Sequence, residues 1–275
     1  VVHHPVNLGA DANVIKCFQL ARGRYSWIFG DDDRPLPGVL ARVVECLERE
    51  QPDLVYLPAR WHAGDLTERA AKAPRPRSLA VAQPLGLTIK ANANITFISS
   101  WVCSRQAYRR LATPPVPARH ANTSLPQLEW HLTLLGRGGK FMSVADHWIV
   151  ARSGNTGGYP VFEVFTTNFS RIVNDKLAGQ PELRRFFLDH MLRCYLPVLV
   201  WGLRQGAIGR FDDVGGSRLM ADLRRAWPES RLLVGLVGQI GQSSKPLAAA
   251  SFVVSRVLAR LWMSMKRLQR TGSVR

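Results

Sequence analysis

Apolar and polar positions along this chain follow two rhythms, and the two alternate over the first 150 residues. Val14, Ile15, Phe18 and Ala21 recur at helical spacing, with Asp11 or Asn13 placed to cap a helix and Gly23 to close it. Tyr25–Phe29 is an aromatic, β-branched run bounded by glycines and reads as a strand. Pro35-Leu36-Pro37-Gly38 then leads into a helix over Val39–Glu50, whose apolar face would be Val39, Leu40, Val43, Val44 and Leu47. Asp53–Leu57 reads as a second buried strand. Helix and strand in alternation argue for an α/β sheet.

Residues 63–90 are polar, carry Pro74, Pro76 and Pro84, and read as a loop region. Beyond them, Ile95–Ser99 predicts a strand, and Ser104 a cap for a short helix to Leu111. Pro114–Pro117 breaks the pattern, and Ser124–Leu135 predicts a helix with Pro126 in its first turn. Lys140–Ala145 and Trp148–Ala151 read as strands. From about Phe162 the chain reads as helical, interrupted by a loop at Gly206–Gly216, so two regions are expected, 1–160 and 161–275.

The last helical run, Phe252–Leu268, sets Val253, Val257, Leu258, Leu261, Trp262, Met265 and Leu268 at helical spacing. Arg256, Arg260 and Arg267 fall together on another face. That is the pattern of a basic amphipathic helix on an anionic bilayer surface, or of a helix packed on the preceding domain with a solvated basic face. Arg256 and Arg260 count against a spanning helix, and Leu232–Ile240 is too short to span.

Charge sharpens this picture. Lys and Arg number 37 against 20 Asp and Glu, for a net charge of +17. No acidic residue follows Glu229. Such a bias calls for an anionic partner, whether membrane lipid, nucleic acid or a phosphorylated substrate. No helix-turn-helix, zinc-finger or RNA-binding signature accompanies it, so nucleic acid is not the expected partner. Four separated cysteines, Cys17, Cys46, Cys103 and Cys194, lack zinc or disulfide spacing and fit a reducing cytoplasm. The chain begins without Met and almost directly in a motif, which suggests an N-terminus lacking at least one strand and helix.

The candidate chemistry lies in Asp31, Asp32 and Asp33, at the end of the first apolar strand. Three adjacent carboxylates repel one another unless a cation sits among them, and ligands of open α/β sheets bind at that strand edge. Mn2+ or Mg2+ suits such all-oxygen ligands, held by one or two carboxylates plus substrate phosphates. The bland alternative is a solvated turn of capping aspartates.

Residues 7–38 resemble the central segment of family-2 glycosyltransferases. The matching positions are Asn7, Gly9, Asn13, Ala21, Gly23, Tyr25, Trp27, Gly30, the three aspartates, Pro37 and Gly38. Ile95–Arg105 and Ala151–Gly158 resemble the abequosyltransferase-like branch of bacterial surface-polysaccharide synthesis. The resemblance implies a GT-A fold, that is, a Rossmann-like and mostly parallel sheet flanked by helices, here followed by a helical C-terminal region. It further implies a nucleotide-diphosphate-sugar donor, a saccharide or lipid-linked acceptor, and inversion at the anomeric carbon. Carried over, Asp31 with Asn7, Gly9 and Asn13 belongs to the donor site, and Asp32 and Asp33 to the metal. The register leaves open whether Asp32 or Asp33 is the main ligand. Arg152 and Asn155, in a loop, could close over the diphosphate or belong to a simple surface turn.

Inversion needs a base for the acceptor hydroxyl proton, which the family places at a helix start. Glu129 is the only acidic residue between Glu68 and Asp146 and is therefore the candidate, with an exposed helix carboxylate as the plain alternative. Trp130 is a sugar-stacking wall or a core aromatic, and His120 and His147 are second-rank candidates for the donor phosphates or the metal. Two other classes stay in view. One is a non-catalytic basic protein binding membrane or nucleic acid; the other is a nucleotidyltransferase, which would need a phosphate loop not found here.

Overall fold

The computed structural model describes residues 3, 5–67, 79–111, 120–153, 159–206 and 217–272. The chain divides into two compact units, Val1–Ser153 and Gly154–Arg275.

In the first unit the order is α1 (Ala10–Leu20), β1 (Tyr25–Trp27), β2 (Arg34–Pro35), α2 (Val39–Glu50), β3 (Leu54–Tyr56), β4 (Ala59–His62) and β5 (Ala80–Ala82). There follow α3 (Pro84–Ala91), β6 (Trp101–Ser104), α4 (Arg105–Leu111), α5 (Leu128–Arg137), β7 (Phe141–Ser143) and β8 (Ile149–Arg152). Five strands form one sheet in the order β1-β6-β3-β7-β5, and three form another in the order β2-β8-β4. The expectation of a mostly parallel sheet needs correcting to a mixed one. β3 pairs with β7 in parallel, but β6 lies antiparallel between β1 and β3, and β5 pairs antiparallel with β7. β6 is entered from α3 through tight turns.

Those tight turns are where Ile95–Ser99 departs from its expected strand. Asn92–Thr96 and Ile98–Ser100 instead form 3-10 turns. Thr96 Oγ1 donates to Ala93 O at 2.9 Å and Asn92 Nδ2 to Lys90 O at 3.3 Å, so short polar side chains satisfy the backbone locally and compete with a ladder. The supposed loop 63–90 holds β5 and α3, the latter opened by Pro84 in its first turn. Asp11 is not a cap; it lies in the first turn of α1, and its carboxylate accepts N–H bonds from Thr123 and Ser124 at 2.8 and 2.9 Å.

α2 has the bounds its periodicity predicts. Gly38 precedes it at φ 77°, a left-handed conformation that glycine adopts without strain. Its buried face is narrower than the sequence pattern suggests. Val39, Val43 and Cys46 are buried against Val55, Met142 and Ile149, while Leu40 and Val44 face water.

The second unit is helical in its described residues. Val161–Glu163 (α6) continues through a wide turn at Val164–Asn168 into α7 (Phe169–Lys176). Next come α8 (Pro181–His190), a second wide turn at Met191–Tyr195, α9 (Leu196–Arg204), α10 (Ser217–Ala226), α11 (Arg231–Gln242) and α12 (Lys245–Gly272). Arg204 donates to the carbonyls of Ile240, Gly241 and Ser243, so a cation satisfies the orphan acceptors at the end of α11. Pro181–Arg204 and Lys245–Leu268 are each 24 residues and apolar enough, by length and composition, to cross a membrane. The loop expected at Gly206–Gly216 lies, apart from Gly206, outside the described residues.

The narrow α2 face gives a direct test. Val43→Ala, which empties a site 2% exposed, should cost roughly 2 kcal/mol in urea unfolding of the whole chain. Leu40→Ala, at a site 63% exposed, should stay within about 0.5 kcal/mol.

Candidate active site

β1 delivers the chain to Gly30, and the three aspartates follow in a turn closed by Asp33 N–H donating to Gly30 O at 3.2 Å. The three carboxylates then diverge: Asp31 is exposed, Asp32 half-buried and Asp33 buried. Asp33 accepts Ser99 Oγ–H at 2.6 Å on one oxygen and the Arg152 N–H at 3.1 Å on the other. Ser99 Oγ in turn accepts the Gly30 N–H at 2.9 Å. A Cβ at residue 30 would lie 3.0 Å from the carboxylates of both Asp32 and Asp33, so a side chain there would press on both. Burial pushes the Asp33 pKa up from its ordinary 3.8, and the two hydrogen bonds pull against that rise.

Asp31 and Asp32 line an open groove of about 390 Å3 together with Arg34, Asp65, Thr67 and Arg152. Carboxylates for a hard cation and guanidiniums for phosphate therefore face one space. Arg34 follows the aspartates into β2, and β2 pairs with β8, which ends at Arg152. Asp65 comes from the turn after β4, which pairs with β8 from the other side, and accepts the Thr67 N–H at 2.7 Å. The three-stranded sheet thus gathers the groove. Asp65 escaped sequence reasoning because Gly64-Asp65 falls where composition marks only a loop. Among the described residues no three His, Cys, Asp or Glu side chains converge as a complete metal site.

Other sequence candidates lie elsewhere. Asn7 accepts the Gly9 N–H at 2.9 Å in the turn that opens α1, and Asn13 is exposed on that helix. None of these three lines the groove. Glu129, in the first turn of α5, is only 6% exposed, so its alternative as an exposed helix carboxylate does not hold. Tyr108 OH donates to one of its oxygens at 3.3 Å, and His120 Nε2 lies 3.3 Å from the other. Glu129 does not line the groove either. Trp130 is a core aromatic, stacked on Phe18 at 4.3 Å. Its neighbour His131 has its pKa pulled down to about 3 by burial and is neutral. Asn155 lies outside the described residues.

The Asp33 arrangement predicts a pH signature. A carboxyl whose folded pKa is raised binds its proton more tightly when folded, so its contribution to stability is present below pH 3.8 and is lost as pH rises through the folded value. In thermal melts, Asp33→Asn should therefore gain on the wild type as pH climbs above 3.8. Ser99→Ala, which leaves both the Asp33 carboxylate and the Gly30 N–H short of a partner, should cost roughly 2 to 3 kcal/mol.

Comparison with known proteins fits this geometry. The sequence model for "Glycosyl transferase family 2" matches residues 1–110, which include the aspartate turn and Asp65. No curated protein matches the chain in sequence. Among solved structures, that of S. aureus TarS 1-349 in complex with UDP-GlcNAc is similar at 12% identity and a TM-score of 0.50, over 96% of this chain and 72% of that one. A second structure of S. aureus TarS 1-349 is similar at 10% identity and a TM-score of 0.48, with the same coverage. The first of these supports the fold, a GT-A-like mixed sheet flanked by helices. The family match adds that residues 1–110 are similar to family-2 glycosyltransferases.

Proposed function

We propose that the chain moves a sugar from a nucleotide-diphosphate donor, with inversion, onto a saccharide or lipid-linked acceptor of surface-polysaccharide synthesis. The groove at Asp31 and Asp32 carries this reading, because it sets paired carboxylates beside Arg34 and Arg152. UDP-GlcNAc in the similar S. aureus TarS structure supports the donor class.

The donor set fits Mn2+ or Mg2+. Asp32, with Asp31, would hold the ion, and substrate phosphates would complete its oxygen shell. Once bound, the cation would neutralise charge developing on the leaving diphosphate. Asp33 has a different task in this reading. Both its oxygens accept bonds from the protein, so it positions the turn while its neighbours face the groove. Arg34 and Arg152 grip phosphate oxygens. Asp65, a carboxylate on the groove wall, takes the acceptor proton in place of Glu129, whose carboxylate is held by Tyr108 and His120.

In the intact protein, Asp32→Asn should lower metal-dependent release of nucleoside diphosphate by about 100-fold without moving the melting temperature. Asp65→Asn should lower kcat and leave the donor KM unchanged. Glu129→Gln should instead lower the melting temperature. Undiminished metal-dependent turnover by Asp32→Asn would overturn the mechanism.

The proposed place of action is an anionic bilayer surface, at the inner face of the plasma membrane. The buried face of α12 is Ala248, Ser251, Ser255, Ala259 and Trp262, so most of its large apolar residues are not packed inside the unit. Val253, Val257, Leu258, Leu261, Met265 and Leu268 are exposed, within an arc of about 140° at 100° per residue. Arg256, Arg260 and Arg267 border that arc. Apolar side chains for the acyl boundary and guanidiniums for the headgroups lie side by side. Flotation with vesicles containing phosphatidylglycerol should show binding, and Val257→Ser with Leu261→Ser should weaken it by about tenfold or more.

A further inference from the structure

The edge of the five-stranded sheet remote from the aspartates carries a second charged feature. Arg22 and Arg24 precede β1, and the aspartates follow it. β6 runs antiparallel to β1, with Ser104 opposite Tyr25, so Arg105 emerges beside Arg24. The Arg105 N–H donates to Arg24 O at 2.9 Å. One turn further along α4 come Arg109 and Arg110. Arg22, Arg24, Arg105, Arg109 and Arg110 line an open hollow of about 430 Å3.

Two observations separate this hollow from an ordinary solvated basic face. Among the described residues, none of the five arginines is paired with a carboxylate, so the charges repel without compensation. Arg105 is also only 3% exposed. Its guanidinium donates to Gly23 O at 2.8 Å and lies 5.9 Å from the Phe18 ring centroid, yet its buried Nε has no hydrogen-bond partner. A buried guanidinium with an unused donor is costly unless an anion answers it. Rigid guanidinium forks match phosphate and carboxylate oxygens in pairs, and five of them together call for a multiply charged anion.

We propose that this hollow is a binding site for a diphosphate-bearing ligand, anchored on Arg105 and separate from the sugar-donor groove. A single phosphate would leave most of five positive charges unanswered; a diphosphate engages several forks at once. The ligand comes either free in solution or as the headgroup of a lipid, and it is held at the sheet edge opposite the reacting groups. The site thus tethers a phosphorylated molecule without joining in the transfer step.

Titration calorimetry of the whole chain with inorganic pyrophosphate in EDTA tests this, because the chelator removes metal-assisted binding at the aspartates. Asp31→Asn with Asp32→Asn should bind pyrophosphate as the wild type does. Arg109→Glu with Arg110→Glu, both at exposed positions, should weaken binding by about tenfold or more, with an unchanged melting temperature. The same pair of variants is floated with phosphatidylcholine vesicles, with and without a long-chain isoprenyl diphosphate. Loss of vesicle binding in the arginine pair without any pyrophosphate binding would support the site and assign its ligand to a lipid headgroup. Pyrophosphate and vesicle binding that ignore the arginine pair, or a pair that loses only duplex DNA binding, would overturn the proposal.

Discussion

The hydrogen bonds to the Asp33 carboxylate organise the functional half of this chain. A carboxylate that is 4% exposed is unfavourable unless both oxygens find donors, and here they find Ser99 Oγ–H and the Arg152 N–H. Those donors come from a 3-10 turn before β6 and from the end of β8, so one side chain joins the two sheets. Ser99 passes the constraint on by accepting the Gly30 N–H, which fixes where the turn begins. With the third aspartate held inward, the turn presents the first two to the groove. The groove-facing side of the motif is a consequence of its buried member.

This division of labour explains which parts of the site the sequence made legible. The run Gly30–Asp33 is visible as charge following an apolar strand, but composition does not distinguish one aspartate from the next. Their difference is created by Ser99, some 66 residues away, and by a backbone N–H of β8. Asp65 was invisible for the same reason, since its place in the groove depends on β4 pairing with β8. Glu129 shows the converse. Its isolation in sequence drew notice, yet isolation along a chain says nothing about burial, and Tyr108 and His120 enclose it.

The fold was legible where a single periodicity dominated. α2 has the predicted ends because apolar spacing, a glycine start and a left-handed Gln51 after its last turn all agree. Ile95–Ser99 failed because β-branched residues there sit among Asn and Thr, whose side chains bond to nearby backbone and favour tight turns. In α12 the periodicity was right, and burial divides its residues by size. Most of the large apolar residues point outward, Trp262 excepted, and Ala248, Ser251, Ser255 and Ala259 point inward, because small side chains admit close helix contact. Ser251 also bonds to Gln239 of α11 at 3.0 Å.

These placements give the first unit an electrostatic polarity along its sheet. The carboxyl end of β1 collects Asp31, Asp32 and Asp65, balanced locally by Arg34 and Arg152. The opposite edge collects five arginines with no matching carboxylate among the described residues. A mixed site of carboxylates and guanidiniums can hold a cation and phosphates together, whereas an all-cationic hollow can hold only anions. The two ends therefore cannot be copies of one binding function. Because β1 is only three residues long, the same short strand spaces both sites, and its pairing with β6 fixes each against the other.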